Sequence, residues 1–307
     1  MTKVLVATEK PFAAEAVTAI KEIVDHAGFE FALLEKYTDT AQFLDAVKDA
    51  DAIIIRSDQV TPQVIDAAKQ LKIVVRAGAG YDNVDLAAAS AHDIVVMNTP
   101  GQNANAVAEL ALGMMIYHAR GLFTGKPGSE LRGKTIGLHA YGNVSKQVSR
   151  LAEGFEMEVL AYDPYIEKEK RGLFDCEFVD TAEELYSRCK YVSLHMPANG
   201  ETKSSVNYAL LTKMPKNAVV VNTARKEVIN ETDLLRIFEE RDDINYLSDV
   251  APDCAAEMLE KYPGRVFFTP KKMGAQTGEA NVNAGIAAAN QIEAFLKEGD
   301  RTFQVNK

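Results

Sequence analysis

The segment KTIGLHAYGNVSKQVSRLAEGFEMEVLAYD, Lys134–Asp163, gives the clearest indication of fold in this chain. It consists of an apolar run, a turn around Gly142, a segment with helical spacing, and a second apolar run that ends on an acid. A dinucleotide-binding unit needs this order: a strand, a glycine turn that lets the backbone approach a pyrophosphate, a helix N-terminus, and an acid about 20 residues on for the ribose hydroxyls. We therefore predict a βαβ unit of the dinucleotide-binding type.

The glycine pattern of this turn is incomplete. Ala140 stands at the first glycine of G-x-G-x-x-G and Ser145 at the third, so only Gly142, where the phosphate comes closest, is kept. Asp163 would repel a 2′-phosphate, which favours NAD over NADP. The alternative is that Asp163 is an ordinary strand-end residue that caps the turn at Pro164.

Composition restricts the class of protein. The chain has 307 residues, enough for two domains, and a formal net charge of −10, which argues against nucleic-acid or anionic-membrane partners. No apolar run reaches the roughly 18 residues of a membrane span, and the N-terminus lacks a secretory signal, so we predict a cytoplasmic protein. The three cysteines lack CxxC spacing, which predicts free thiols in a reducing compartment and no metal site.

Strands and helices alternate along the chain in two series, which predicts two doubly wound parallel-sheet α/β domains with a cleft between them. The predicted strands are Val4–Ala7, Phe29–Leu34, Ala52–Ile55, Ile73–Val75 and Ile94–Met97, then Ile136–Ala140, Val159–Tyr162, Tyr191–His195, Ala218–Asn222, Tyr246–Val250 and Val266–Thr269. Among the predicted helices, one begins with a Thr61 cap and Pro62, a long one covers Ala104–Arg120, and the last covers Ala284–Lys297.

Several motifs agree in order and spacing with one family. They are the segments 55–57, 76–85, 98–110, 221–225, 248–250 and 269–277. With the βαβ unit, they resemble the D-2-hydroxyacid dehydrogenase family over nearly the whole chain.

The resemblance implies an organisation for the chain. Residues 1–98 and 284–307 would form a flavodoxin-like substrate-binding domain, and residues 99–283 a Rossmann-type NAD-binding domain. The helix after residue 104 would cross over and serve a homodimer formed through the cofactor domain. Larger members carry C-terminal regulatory domains, and a chain that stops at Lys307 resembles the short form without them.

The resemblance also implies site residues. The cofactor contacts would be Gly142, Asn143 and Val144 over the pyrophosphate, Asp163 on the ribose, His195 beside the adenine, and Thr223, Ala224, Asp249 and Gly274 farther along. Arg225 would bind and polarise the 2-oxo or 2-hydroxy acid, the backbone of Ala77, Gly78 and Ala79 would hold its carboxylate, and Arg56 would contact a substrate phosphate. Arg76 is either a substrate-binding cation or a structural partner.

The sequence departs from the family at the acid–base position. The family has a histidine before its Gly-Gly or Gly-Ala step, paired with a glutamate, but no histidine follows His195 here. Aligning Gly274-Ala275 with that step places Lys272 at the position, and we predict that Lys272 is the general acid/base, its pKa lowered by burial and by Arg225 and Lys271. Alternatively, Lys272 only binds substrate while water carries the proton. Asp253 and Glu257 are the candidate replacements for the glutamate.

The expected reaction is NAD-dependent oxidation of a small anionic substrate, 3-phospho-D-glycerate, to 3-phosphooxypyruvate, the first step of serine biosynthesis. Arg56, Arg225, Lys271 and Lys272 supply the cations for a doubly anionic substrate. The alternatives are another member, such as a hydroxypyruvate or glyoxylate reductase, and a non-catalytic NAD-sensing interaction protein.

Overall fold

A computed structural model describes residues 1–307, with elements numbered here in chain order. The strands are β1 (Lys3–Thr8), β2 (Glu30–Glu35), β3 (Ala52–Ile55), β4 (Ile73–Arg76), β5 (Val95–Asn98), β6 (Thr135–His139), β7 (Glu158–Tyr162), β8 (Glu177–Phe178), β9 (Tyr191–Leu194), β10 (Val219–Asn222), β11 (Asn245–Ser248) and β12 (Val266–Phe268). The helices are α1 (Ala14–His26), α2 (Thr40–Ala46), α3 (Pro62–Ala67), α4 (Leu86–Ala91), α5 (Ala104–Ala119), α6 (Asn143–Gly154), α7 (Lys168–Arg171), α8 (Ala182–Arg188), α9 (Tyr208–Leu211), α10 (Glu231–Glu240), α11 (Ala255–Lys261) and α12 (Gly278–Glu298).

The chain divides into two compact units. The first is Met1–Asn103 with Gln276–Lys307, and the second is Ala104–Ala275. We call them the substrate unit and the cofactor unit, after the roles that the family resemblance implies. We predicted divisions after residues 98 and 283. The second division falls earlier because α12 is one continuous helix from Gly278, capped by the hydroxyl of Thr277, and the whole helix packs with the substrate unit.

The substrate unit has a five-stranded parallel sheet in the order β2-β1-β3-β4-β5, which is the flavodoxin-like order. Its strands are buried apolar runs such as Ala52–Ile55, because helices cover both faces of the sheet. Ala288 and Ile292 of α12 belong to the core on one face, and Phe43 of α2 to the core on the other.

The cofactor unit has a seven-stranded parallel sheet in the order β12-β11-β10-β9-β6-β7-β8. Counted from β6, this is the Rossmann order 3-2-1-4-5-6 with one more strand at the far edge. From β6 the strand order runs to one side of the sheet through β7 and β8, and from β9 it runs to the other side. In such sheets, ligands bind outside the carboxyl ends of the strands where the order reverses, which here is between β6 and β9. The two parallel sheets confirm the predicted fold class.

Two details were not predicted correctly. The Thr61 hydroxyl makes no capping bond to α3, since it donates instead to Oε1 of Gln63 at 2.9 Å. The two-residue strand β8 was missed because Glu177–Phe178 is too short to show an alternating pattern of apolar and polar residues. No helix combines the length and apolar character that a membrane crossing requires.

Candidate active site

The turn after β6 has a left-handed residue at its start. Ala140 has φ 71°, a conformation that glycine adopts freely and alanine rarely. The N–H of Ala140 donates to the carbonyl of Tyr162 at 2.8 Å, and its carbonyl accepts from the hydroxyl of Ser145 at 2.6 Å. The first glycine position of the fingerprint thus keeps the glycine conformation although the residue is alanine.

Gly142 begins α6 as its N-cap, and no side chain caps this end of the helix. A Cβ built on Gly142 would meet no atom within 4 Å, so the space over the turn is open. The first N–H groups of a helix lack intrahelical partners and attract anions. Asn143 is exposed and Val144 half-buried at this same end, as residues facing a pyrophosphate would be.

Asp163 follows the end of β7 and is held at both carboxylate oxygens. Oδ2 accepts from the N–H of Tyr141 at 2.8 Å, and Oδ1 accepts from the N–H of Tyr165 at 2.9 Å. The second bond is the turn-capping role that we kept as an alternative. It leaves a ribose role open, since each carboxylate oxygen has a further lone pair.

Two histidines lie at the ends of β6 and β9, on either side of the point where the strand order reverses. Burial lowers the pKa of His139 to about 4, and its Nδ1 lies 3.2 Å from the hydroxyl of Tyr186. Burial, and then the neighbouring His139, lower the pKa of His195 to about 3. The Nε2 atom of His195 is buried without a hydrogen-bond partner. Both imidazoles are therefore neutral at pH 7, and His195 keeps an unused polar atom beside the cofactor turn.

The loop after β10 is shaped by Asn222. Its Oδ1 accepts from the N–H of Ala224 at 2.9 Å, and its Nδ2 donates to the carbonyl of Arg225 at 2.9 Å. The Arg225 guanidinium is half-buried and donates to the carbonyl of Ala224 at 2.9 Å. The hydroxyl of Thr223 is buried and has no partner, so it can take a hydrogen bond from, or give one to, a bound ligand.

The loop after β12 is fixed by the carboxylate of Asp249, which is 1% exposed. Oδ1 accepts from the hydroxyl of Thr269 at 2.9 Å and from the N–H of Met273 at 2.8 Å, and Oδ2 accepts from the N–H of Gly274 at 2.9 Å. The Thr269 hydroxyl also lies 3.0 Å from the carbonyl of Lys271. The loop is therefore held at the N–H groups of Met273 and Gly274.

Lys272 directly precedes the first of these N–H groups. The N–H after it is held by Asp249, and the carbonyl before it lies 3.0 Å from the Thr269 hydroxyl. Its side chain is exposed, so the burial that we predicted around it is not present. The physical reason is that the residues 270–273 form a surface loop beyond the last strand of the sheet.

Both acids considered as replacements for the family glutamate are paired with other lysines. Asp253 accepts from Nζ of Lys226, and Glu257 accepts from Nζ of Lys261 at 2.7 Å. The strong exposure of Asp253, 80% for its side chain, places it in solvent. Each acid therefore has a lysine partner outside the proposed site, Lys226 for Asp253 and Lys261 for Glu257.

In the substrate unit, Arg56 follows β3 and has three acceptors. Nη1 donates to the carbonyls of Lys10 at 3.1 Å and Pro11 at 2.8 Å, and Nη2 donates to Oδ1 of Asn281 at 2.6 Å. The guanidinium carbon lies 5.1 Å from the centre of the Phe12 ring. Burial lowers the pKa of Arg56. The arginine therefore joins the loop after β1 to α12, besides any contact to substrate.

Arg76 ends β4, next to Arg56, and precedes the loop Ala77–Ala79. Its Nε donates to the carbonyl of Arg56 at 2.9 Å. Gly78 has φ 149°, a conformation that residues with a Cβ rarely adopt, and Nη1 of Arg76 lies 1.5 Å from the place where a Cβ would stand, so the guanidinium covers this glycine. The structure thus places a cation directly over the loop that we expect to hold a carboxylate.

Three supporting residues were not recognised from the sequence. Ser145 was interpreted only as a lost glycine, Asn222 as the end of a strand, and Thr269 as part of a motif without a role. A polar residue at the end of a buried strand is the signal for the last two. Nothing in the sequence marks the partner of Ser145.

Comparison with known proteins agrees with this geometry. The sequence matches the family described as D-isomer specific 2-hydroxyacid dehydrogenase, catalytic domain, over residues 4–306. A crystal structure of 3-phosphoglycerate dehydrogenase from Entamoeba histolytica with bound NAD+ has 47% sequence identity and a TM-score of 0.86, and the match covers 100% of this chain and 99% of that one.

Two further relatives differ in length and name. A D-3-phosphoglycerate dehydrogenase from Methanocaldococcus jannaschii is 34% identical over 279 residues, 83% of this chain, and the match covers 52% of that protein. The chain thus spans about half the length of that relative. A hydroxypyruvate reductase from Thermotoga maritima is 32% identical over 283 residues, 86% of this chain and 90% of that protein. These matches confirm the resemblance drawn from the motifs, and the chain belongs to the D-isomer specific 2-hydroxyacid dehydrogenase family.

Proposed function

We propose that the protein oxidises 3-phospho-D-glycerate to 3-phosphooxypyruvate with NAD, and that Arg225 and Lys272 act on the substrate. The observation that carries this proposal is the fixed loop that bears Lys272, since the buried Asp249 carboxylate accepts from the N–H groups of Met273 and Gly274. β10, β11 and β12 are parallel neighbours, so the loops that bear Arg225 and Lys272 leave the same edge of the sheet.

The residues present fit NAD. The open space over Gly142 and the uncapped start of α6 suit a pyrophosphate, and the acid Asp163 suits an unphosphorylated ribose. The unpartnered hydroxyl of Thr223 and the unpartnered Nε2 of His195 are polar atoms that a bound dinucleotide would satisfy. Ala224, Asp249 and Gly274 complete the proposed cofactor contacts.

The chemistry assigns one task to each group. The nicotinamide ring of bound NAD supplies the acceptor for the hydride from C2 of the substrate. The Arg225 guanidinium binds the substrate carboxylate and polarises the C2 oxygen. Neutral Lys272 takes the proton of the C2 hydroxyl, and in the reverse direction its ammonium returns it. Lys272 is exposed in this structure. Bound substrate must therefore displace the water around the lysine before its ammonium form is destabilised.

The substrate phosphate is assigned to the substrate unit. Arg56 and Arg76 stand on neighbouring strand ends. The N–H groups of Ala77 and Gly78 donate to the carbonyls of Ile55 and Arg76 at 2.8 Å each, so the N–H of Ala79 is the one assigned to the carboxylate. An unphosphorylated substrate such as hydroxypyruvate is the second candidate, favoured by the Thermotoga relative, of which the match covers 90%.

A steady-state assay tests the proposal. The purified protein is mixed with NAD and 3-phospho-D-glycerate, and in the reverse direction with NADH and either phosphooxypyruvate or hydroxypyruvate. We expect the phosphorylated acids to give the higher kcat/KM. A higher value for hydroxypyruvate would support the second candidate, and NAD binding without turnover on any of these acids would support a non-catalytic sensor.

We also propose a homodimer formed through the cofactor unit. Phe123 is 66% exposed and Phe155 39% exposed, and both lie beside the C-terminal end of α5, where Phe123 contacts Tyr117 and Phe155 lies in one depression with Ile116. Aromatic residues are enriched at protein interfaces, and two exposed ones beside the same helix end offer apolar surface to a second copy of the chain. Light scattering of wild type and Phe123→Glu checks this, and a monomeric wild type would contradict it.

The unpaired cysteines agree with the cytoplasm as the proposed compartment.

A further inference from the structure

The pair Ala140 and Ser145 replaces the first and third glycines of the dinucleotide fingerprint. Ala140 has φ 71°, in the left-handed region where an L-residue with a Cβ is rare. The conformational preference of alanine does not hold this turn, so a further contact is needed to stabilise it.

Ser145 supplies that contact. It is the third residue of α6, its side chain is 0% exposed, and its hydroxyl lies 2.6 Å from the carbonyl oxygen of Ala140. This is a normal length for an O–H···O hydrogen bond. Because solvent does not reach the hydroxyl, the bond to Ala140 has no water to compete with it.

We propose that Ser145 is a positioning residue for the cofactor: its hydroxyl holds Ala140 in the left-handed conformation that the fingerprint obtains from glycine. The inference rests on the proposed NAD site. The peptide groups that follow Ala140 are those of Tyr141, whose N–H donates to Asp163, and of Gly142, which begins the helix. The conformation of Ala140 therefore sets the direction of the N–H groups at the start of α6.

A consequence is that the two departures from the fingerprint depend on each other. Without the hydroxyl, the Ala140 carbonyl loses its partner, and the left-handed alanine loses one of the contacts that hold it. With glycine at position 140 the conformation costs little and the hydroxyl is dispensable. The double variant Ala140→Gly/Ser145→Ala restores the pattern G-x-G-x-x-A.

The test is a double-mutant cycle on NAD affinity, measured by calorimetry. Ser145→Ala should weaken NAD binding about tenfold, equal to about 1.4 kcal/mol. Ala140→Gly alone, and the double variant, should bind within about twofold of wild type. At saturating NAD the kcat of Ser145→Ala should stay within about twofold, because the turn does not touch the hydroxy acid.

Ser193→Ala is the matched control, since Ser193 is also fully buried in the cofactor unit but its hydroxyl has no partner. It should leave NAD affinity unchanged. Unchanged affinity in Ser145→Ala, or a double variant that binds as weakly as Ser145→Ala, would overturn the inference.

The same double-mutant cycle, measured on the melting temperature, tests the inference independently of the proposed function. Ser145→Ala should lower the Tm, and the loss should be smaller when Ala140→Gly is present. If wild type fails to bind NAD, the proposed function fails. If the Tm changes of Ser145→Ala and Ala140→Gly are additive in the double variant, the hydroxyl does not hold Ala140, whether or not NAD binds.

Discussion

Oδ1 of Asp249 lies 2.8 Å from the backbone nitrogen of Met273, the residue directly after Lys272. A buried carboxylate thus fixes the peptide next to the proposed acid/base, and its other oxygen fixes Gly274. The family resemblance implies a contact from this acid to the nicotinamide side of the cofactor. The structure adds a second role, the support of the loop.

Replacement of this acid by its amide tests the support. Asp249→Asn leaves one acceptor oxygen for two N–H groups and the Thr269 hydroxyl, so at least one buried donor loses its partner. We expect the free energy of unfolding to fall by about 1–3 kcal/mol and kcat to fall at least about tenfold. Urea unfolding and steady-state kinetics measure the two effects. Asp253→Asn, at an exposed acid, is the control and should change neither. Wild-type kcat in Asp249→Asn would show that the loop needs no such support.

Removal of Arg56 should discriminate between substrates. In Arg56→Ala we expect kcat/KM for 3-phospho-D-glycerate to fall about ten- to a hundredfold, the range for a lost charge-assisted hydrogen bond, with little change for an unphosphorylated acid. Asn281→Ala controls for structure, because it removes the acceptor at Nη2 and keeps the cation. It should affect both substrates alike. Equal losses for both substrates in Arg56→Ala would leave the arginine with a structural role only.

Replacement of the acid after β7 should alter cofactor preference. Asp163→Ser removes the charge that repels a 2′-phosphate, so the ratio of kcat/KM for NAD to that for NADP should fall at least about tenfold. The exposed Asp180, which pairs with Lys168 and Arg171, offers the control Asp180→Ser. If Asp163→Ser kept the wild-type ratio, the acid would only cap its turn.

The buried histidine before the turn should make the protein sensitive to acid. The pKa of His139 is about 4 in the folded chain and about 6.5 in an unfolded one. Above pH 6.5 the imidazole is neutral in both states. Between pH 6.5 and 4 only the unfolded state binds the proton, so the free energy of unfolding should fall by up to about 1.4 kcal/mol per pH unit as the pH falls.

Urea unfolding at pH 7 and pH 5 measures this loss. His139→Gln, which cannot titrate, should show a smaller difference between the two pH values, while His26→Gln, at an exposed position, should behave as wild type. An equal loss in His139→Gln and wild type would place the acid sensitivity elsewhere.

The sequence predicts the sheets well and the site unevenly. Buried strands such as Ala52–Ile55 are uniformly apolar, and each of the two series repeats the strand–helix order, so fold class follows from pattern alone. The start of α12 was placed too late, at Ala284, because its first turn is polar and the capping hydroxyl of Thr277 is recognisable only with the backbone in view.

The support of the site could not be predicted, since it depends on contacts between distant residues. The bond from Met273 to Asp249 spans 24 positions, and no local pattern encodes it. Similarly, two substitutions in the glycine motif looked like separate losses, and only the backbone angle of Ala140 and the position of the Ser145 hydroxyl show that they belong together. The exposure of Lys272 also depends on how its loop leaves the sheet.

Lys272 is the residue proposed to carry the proton of the C2 hydroxyl, and a pH–rate profile of kcat with 3-phospho-D-glycerate tests this role. Wild type, Lys272→Ala and Lys213→Ala are compared, the last being the control at an exposed lysine outside the proposed site. We expect Lys272→Ala to lose about 10²–10⁴-fold in kcat, together with the rise of kcat with increasing pH that deprotonation of a general base gives, and Lys213→Ala to keep the wild-type profile. A Lys272→Ala variant with the wild-type rate and profile would contradict the account and leave the proton to water.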